Sequence, residues 1–173
     1  MEYEKLKTLP GKVIGRVLEL QKIGSIYVPQ GVGVGAMEIV AVSEDEEFYQ
    51  LGDIVYFNKL DAVPLIDDLK ISDFANQLVL LWGSSILCKI KDSTIEPGPG
   101  FIIGKHLSFD NEHKSMLLSP DTHIPMTELI QVQEYVFLID PTSGFYVRAF
   151  GEEYRITREE DLLAEVEGFH GVN

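Results

Sequence analysis

The chain is poor in the residues that would tie it down covalently or draw it to anionic partners. It has one cysteine, Cys88, among 173 residues, so no internal disulfide can form, and this fits a reducing compartment. Lysine and arginine number 14 against 28 acidic residues, giving a formal charge of −14. A field of that sign repels nucleic-acid phosphates and anionic lipid headgroups unless a basic patch interrupts it. The densest basic pairs, Lys5/Lys7, Lys12/Arg16 and Lys89/Lys91, all have acidic residues close by, as solvated strand faces do. No apolar run approaches the roughly 18 residues of a membrane span, and residues 1–10 lack the apolar stretch of a secretory signal. The expectation is a cytoplasmic protein that binds neither nucleic acid nor membrane.

What is present is the rhythm of β-structure. Residues 13–20, 25–29, 37–42, 53–57, 78–82 and 86–91 are short runs rich in Val, Ile, Leu and aromatics, separated by Gly, Pro, Asp or Asn. Helical signals are few. Residues 65–75 could make a turn or two, and Thr157 with Glu160 has the spacing of a capping box opening residues 157–166. Cys88 sits inside the apolar run 86–90 and reads as a small buried hydrophobe.

Residues 95–100, Ile-Glu-Pro-Gly-Pro-Gly, read as a linker, because two prolines lack donors and the glycines impose no conformation. After it the chain restarts. Phe101, Ile102, Ile103, Gly104, Lys105, His106 and Leu107 match Lys12, Val13, Ile14, Gly15, Arg16, Val17 and Leu18. Residues 38–42 then correspond to 128–132, and the closing run 80–90 to 154–166, as in an internal repeat. In each half a polar stretch precedes an apolar triplet that stops near a proline. The triplets are Ile26, Tyr27 and Val28 before Pro29, and Met116, Leu117 and Leu118 before Pro120.

The first half resembles a GroES-type co-chaperonin subunit over residues 12–92, most specifically in the string Gly52, Asp53, Ile54, Val55, Tyr56, Phe57, Asn58 and in the triplet ahead of it. The second half resembles the same family through residues 154–166 and its own triplet, so the whole is similar to tandem co-chaperonins of chloroplasts and to phage-encoded GroES-like proteins. The resemblance implies an all-β chain of two tandem GroES-like small β-barrels with little helix: a barrel over 1–94, a linker over 95–100, and a second, degenerate barrel over 101–173. It implies a homo-oligomer without a cofactor. Ile26, Tyr27, Val28, Met116, Leu117 and Leu118 would be the docking residues for a chaperonin ring. A disordered loop pays ordering entropy on binding, and a ring of copies recovers affinity. Two departures stand out. Only residues 43–50 are available for the hairpin that roofs the family's dome, and the second module lacks a clear Gly-Asp turn before residue 135. These favour a second expectation, a virion structural protein that decorates or cements a capsid lattice.

Other patterns carry less. Ile26, Tyr27 and Val28 read equally as a buried strand, though Gly24 and the glycines at 31, 33 and 35 favour a loop. Those glycines are followed by no Gly-Lys-Ser/Thr and by no helix that would present amides to a phosphate. His106, Asp110, His113, Asp121 and His123 match no metal-ligand spacing. Ser84 and Ser85 lack a nucleophile elbow, and Cys88 has no motif partner, so the expectation is a protein that is not an enzyme. Glu44, Asp45, Glu46 and Glu47 read as a solvated turn before a cation site or pore lining, and Trp82, Tyr56 and Phe57 as core.

Overall fold

A computed structural model describes residues 7–18, 33–65, 77–107, 128–140 and 142–167. The chain is all-β, with no regular element but strands and single 3-10 turns among these residues. Seven strands form the first sheet: β1 (Lys12–Val17), β2 (Val34–Val42), β3 (Ile54–Asn58), β4 (Val63–Pro64), β5 (Leu78–Trp82), β6 (Ile86–Lys91) and β7 (Thr94–Pro97). Six form the second: β8 (Phe101–Leu107), β9 (Glu128–Val132), β10 (Tyr135–Ile139), β11 (Phe145–Ala149), β12 (Glu152–Arg158) and β13 (Leu162–Glu165). All pairings are antiparallel, and both sheets are open at their edges among the described residues.

The strand orders are β4-β5-β1-β2-β3-β6-β7 and β11-β12-β8-β9-β10-β13. The second is the first with every strand advanced by seven and the β7 edge removed. Register repeats as well as order. Gly15 lies opposite Val79, and Gly104 opposite Arg155. A bulge falls between Tyr56 and Phe57 in the β3–β6 ladder and between Leu138 and Ile139 in the β10–β13 ladder. In each repeat a strand turns through a 3-10 corner, Gly83–Ser85 or Glu159–Asp161, from one outer ladder position to the other. The sequence match of Gly104 with Gly15 is therefore a match in register. The match of 128–132 with 38–42 slips, since Lys105 faces Gln131 where Arg16 faces Glu38.

Alternation builds two cores. Val13, Val17, Met37, Ile39, Val55, Phe57, Val79, Leu81 and Ile86 form one inside the first sheet. The intervening residues Val34, Ala36, Tyr56, Cys88 and Ile90 point the other way and meet Phe101, Val147, Ala149 and Ile156 of the second sheet. Strands β2, β3 and β6 are thus covered on both faces, which is why they read as nearly unbroken apolar runs. The two halves share a core.

Three expectations need correction. Residues 95–97 do not stand outside the ladder, because β7 pairs with β6 from Lys91↔Thr94 to Cys88↔Pro97. Pro97 lacks a donor, but on an edge strand none is needed. The capping-box residues 157–161 open no helix; Thr157 is the buried penultimate residue of β12 and Glu160 sits in the corner. Ladder and packing contacts there outweigh local helix propensity. Trp82 is not core: it is 54% exposed at the end of β5, whereas Tyr56 and Phe57 are fully buried.

Candidate functional site

The six predicted docking residues, Ile26, Tyr27, Val28, Met116, Leu117 and Leu118, lie outside the described residues. Their positions along the chain are nevertheless equivalent, because the first triplet falls between β1 and β2 and the second between β8 and β9. Of the glycine run, Gly33 makes a turn at φ +89° and Gly35 lies inside β2, where an added Cβ would stand 2.6 Å from the Phe57 ring. Close packing accounts for that glycine. His106 is an exposed residue of β8, while Asp110, His113, Asp121 and His123 are outside the described residues, among which no three metal-ligating side chains converge. Cys88 is fully buried, and burial pushes its thiol well above the ordinary range. A thiolate is unavailable there.

The acidic stretch at 44–47 proves to be part of a folded-down turn. Glu46 accepts hydrogen bonds from the amides of Phe48 (2.9 Å) and Tyr49 (3.1 Å), as a carboxylate does at a tight turn. Tyr49 is buried beside the first corner, with its hydroxyl 3.4 Å from the Gly83 carbonyl. Lys89 ties the turn to β6, donating to the Phe48 carbonyl at 3.0 Å and lying 3.8 Å from Asp53 and 3.5 Å from Glu96. Residues 43–50 therefore pack against the module and make no projecting hairpin. Sequence reasoning missed Tyr49, whose signal was an aromatic pair directly after an acidic turn, and read Lys89 as a solvated charge, whereas its side chain is only 12% exposed beneath that turn.

The two modules meet at their corners. Arg158, at the end of β12, lies 4.6 Å over the Phe101 ring and donates across the joint to the Ser84 carbonyl at 3.3 Å. A cleft of about 240 Å3 opens beside it, lined by Asn58, Asp61, Ser85, Phe145 and Asp161 as well. Asn58 and Asp61 spend their polar atoms on the local turn: Asn58 donates to Asp61 at 3.0 Å and accepts from the Leu60 amide at 3.1 Å. The cleft is smaller than the roughly 300–1,000 Å3 of ordinary ligand pockets. It is a joint between modules.

Matching the registers reveals a second unexpected feature. The first module places Lys12 3.2 Å over the Trp82 ring. The same cross-strand position in the second module holds Phe101 and Arg158, with cation and ring exchanged between the strands. Inside the second sheet, Arg155 and Thr157 occupy the places of Val79 and Leu81. Arg155 is 2% exposed, lies 4.2 Å over the Tyr146 ring and has its Nε 3.6 Å from Glu128. Tyr146 donates to the same carboxylate at 2.7 Å. Its hydroxyl pKa is pushed up to about 12, chiefly by burial and then by that carboxylate. The first module's interior is apolar, and the second carries a paired charge.

No protein-family model matches the chain, and no curated protein does. What the described residues share is a repeated strand order with equivalent connections between the first and second strands of each sheet.

Proposed function

We propose that the chain is a co-chaperonin-like protein whose two modules are GroES-like barrels, and that it works by docking onto a chaperonin ring through Ile26, Tyr27, Val28 and Met116, Leu117, Leu118. One observation carries the reading: the repeated strand order gives both triplets the same connection, between the first and second strands of each module. A duplicated scaffold with one apolar triplet per repeat is suited to multivalent contact, in which several weak sites add to a strong one. The barrel reading draws support from the corners. A chain segment that pairs at one outer position and then, past a 3-10 turn, at the other is how a small curled sheet brings its ends together. The inner cluster, fed by β1, β2, β3, β5 and β6, fits that curl.

The test is retention on an immobilised chaperonin with ATP. Wild type should be retained and an Ile26→Ser, Val28→Ser double variant lost; equal retention of both, or of neither, defeats the reading. A second reading rests on the folded-down turn at Tyr49, which leaves the module without a roof. A scaffold lacking that element suits a capsid decoration or cement subunit, and stoichiometric presence in purified virions with no chaperonin affinity would establish it.

A further inference from the structure

The first module seals one end of its interior with its own chain. Tyr49 is buried in the same cluster as Val13, Ile39, Val55 and Ile86, each at most 1% exposed. Phe48 packs edge-on against Tyr49 at 4.9 Å, and Lys89 holds the pair from β6 through the Phe48 carbonyl and ring. The second module repeats the floor of that end and omits the seal. Aligned through Gly15 with Gly104 and through the two ladder bulges, Ile102 stands for Val13, Val132 for Ile39, Phe137 for Val55 and Leu162 for Ile86. All four are only half-buried. The β9–β10 connection is Gln133 and Glu134 alone, too short to carry a counterpart of Phe48 and Tyr49.

The charge around that end is reversed. Val55 lies opposite Lys89, whereas Phe137 lies opposite Glu165, so a carboxylate takes the place of the cation that anchors the first seal. Glu134 in the hairpin, and Glu159 and Glu160 in the corner that matches Gly83 and Ser84, are exposed as well. Arg158 is turned away, onto the Phe101 ring and the Ser84 carbonyl. Tyr135, 47% exposed, extends the apolar surface, its ring 6.4 Å from that of Phe137. We infer that this end of the second module binds a segment of another protein in which an aromatic side chain stands next to lysine or arginine. The ring covers Phe137 and Val132 as Tyr49 covers Val55 and Ile39, and the cation meets Glu165. An aromatic anchor suits such a site because it buries a large area at little cost in side-chain entropy. The inference rests on the matched registers and is independent of what the triplets bind.

Fluorescence anisotropy on the full chain tests it with two labelled peptides, Gly-Lys-Phe-Tyr-Arg-Gly and Gly-Glu-Phe-Tyr-Glu-Gly, the second keeping the order Glu47, Phe48, Tyr49 of the first module's own seal. Wild type should bind the basic peptide about tenfold more tightly than the acidic one, and should not bind a basic peptide whose two rings are replaced by alanine. Glu165→Lys, an exposed substitution that restores the first module's lysine, should reverse the preference. Phe137→Ala should weaken binding of the basic peptide with an unchanged circular dichroism spectrum; where it perturbs the fold, the reversal by Glu165→Lys still decides. Glu44→Lys makes the same charge change on the first module and should alter nothing. A wild type that binds neither peptide overturns the inference. Equal binding of the alanine peptide, or a loss in Glu44→Lys as large as in Glu165→Lys, reduces the effect to net charge and overturns it too. So does binding seen only after residues 168–173 are removed, which makes the chain's own Phe169 the occupant, and so does self-association that Phe137→Ala abolishes, which makes it a second copy.

Discussion

Truncating Ile156 to alanine tests whether the shared core makes one folding unit of the two modules. Ile156 is fully buried in the cluster that also holds Tyr56, Leu87 and Cys88 from the first half. The substitution removes three carbons, worth about 0.8 kcal/mol each in transfer free energy, and leaves a cavity between two sheets that cannot fully collapse. Together these give about 3–4 kcal/mol, inside the span of about 2–5 kcal/mol observed for such truncations. The chain's one tryptophan, Trp82, lies in β5 of the first module and is absent from that cluster, so its fluorescence reports a module the substitution leaves intact. In urea, with a slope of about 2–3 kcal/mol/M, the midpoint should fall by about 1–2 M. The fall should be the same whether followed by Trp82 fluorescence or by far-ultraviolet circular dichroism. A Trp82 midpoint that stays in place while circular dichroism resolves an earlier step would refute the coupling.

Two further outcomes follow from the matched registers. Gly15→Ala would put a Cβ 2.1 Å from the Met37 sulfur, and Met37 is fully buried, so overpacking should cost about 1–3 kcal/mol in a urea titration; Gly104→Ala, whose nearest neighbour is the Gln131 carbonyl at 3.1 Å, should cost less. Since the folded-state pKa of Tyr146 is raised to about 12, against about 10 for an unfolded phenol, its contribution to stability is complete below pH 10 and is lost as pH climbs toward 12. Absorbance at 295 nm should lose one late-ionising phenol in Tyr146→Phe, while those of Tyr49 and Tyr56, raised by burial, remain; loss of a phenol that ionises at the ordinary pH would count against the Glu128–Tyr146 contact.

Much of the scaffold was legible because strand punctuation is local chemistry. Gly52 and Asp53 announce β3, and the Gly15 and Gly104 matches announce the repeat, since each sits where a neighbouring side chain crowds the backbone. What the sequence could not reveal were facts about neighbours. Pro97 looks like a breaker unless its strand is known to be an edge. Thr157 and Glu160 look like a helix start until β12 is seen between β8 and β11. Trp82 resembles core by residue type, yet it is 54% exposed at the end of β5, with Lys12 over its ring. The shared core had a trace in the sequence: β2, β3 and β6 are apolar at successive positions, the mark of strands with something on both sides. The docking triplets lie beyond the described residues, and for them only the position between matched strands can be read.

The asymmetry between the modules has a physical rationale in that shared core. The first module buries an apolar cluster of its own and could hold its shape from the inside. In the second, Arg155 and Thr157 replace Val79 and Leu81, beside the fully buried Ile130 and Ile139. Desolvating a guanidinium costs several kcal/mol, which pairing with Glu128 and contact with Tyr146 offset in part. The second module can tolerate such an interior because Phe101, Val147, Ala149 and Ile156 draw stabilisation from the first module through its outer face. Inner positions of the second module are thus free of purely apolar packing, while its outer positions are held to it. The exchanged cation and ring at Lys12–Trp82 and Arg158–Phe101 follow the same logic: what the corner requires is a charge over an aromatic face, and either strand can supply either partner.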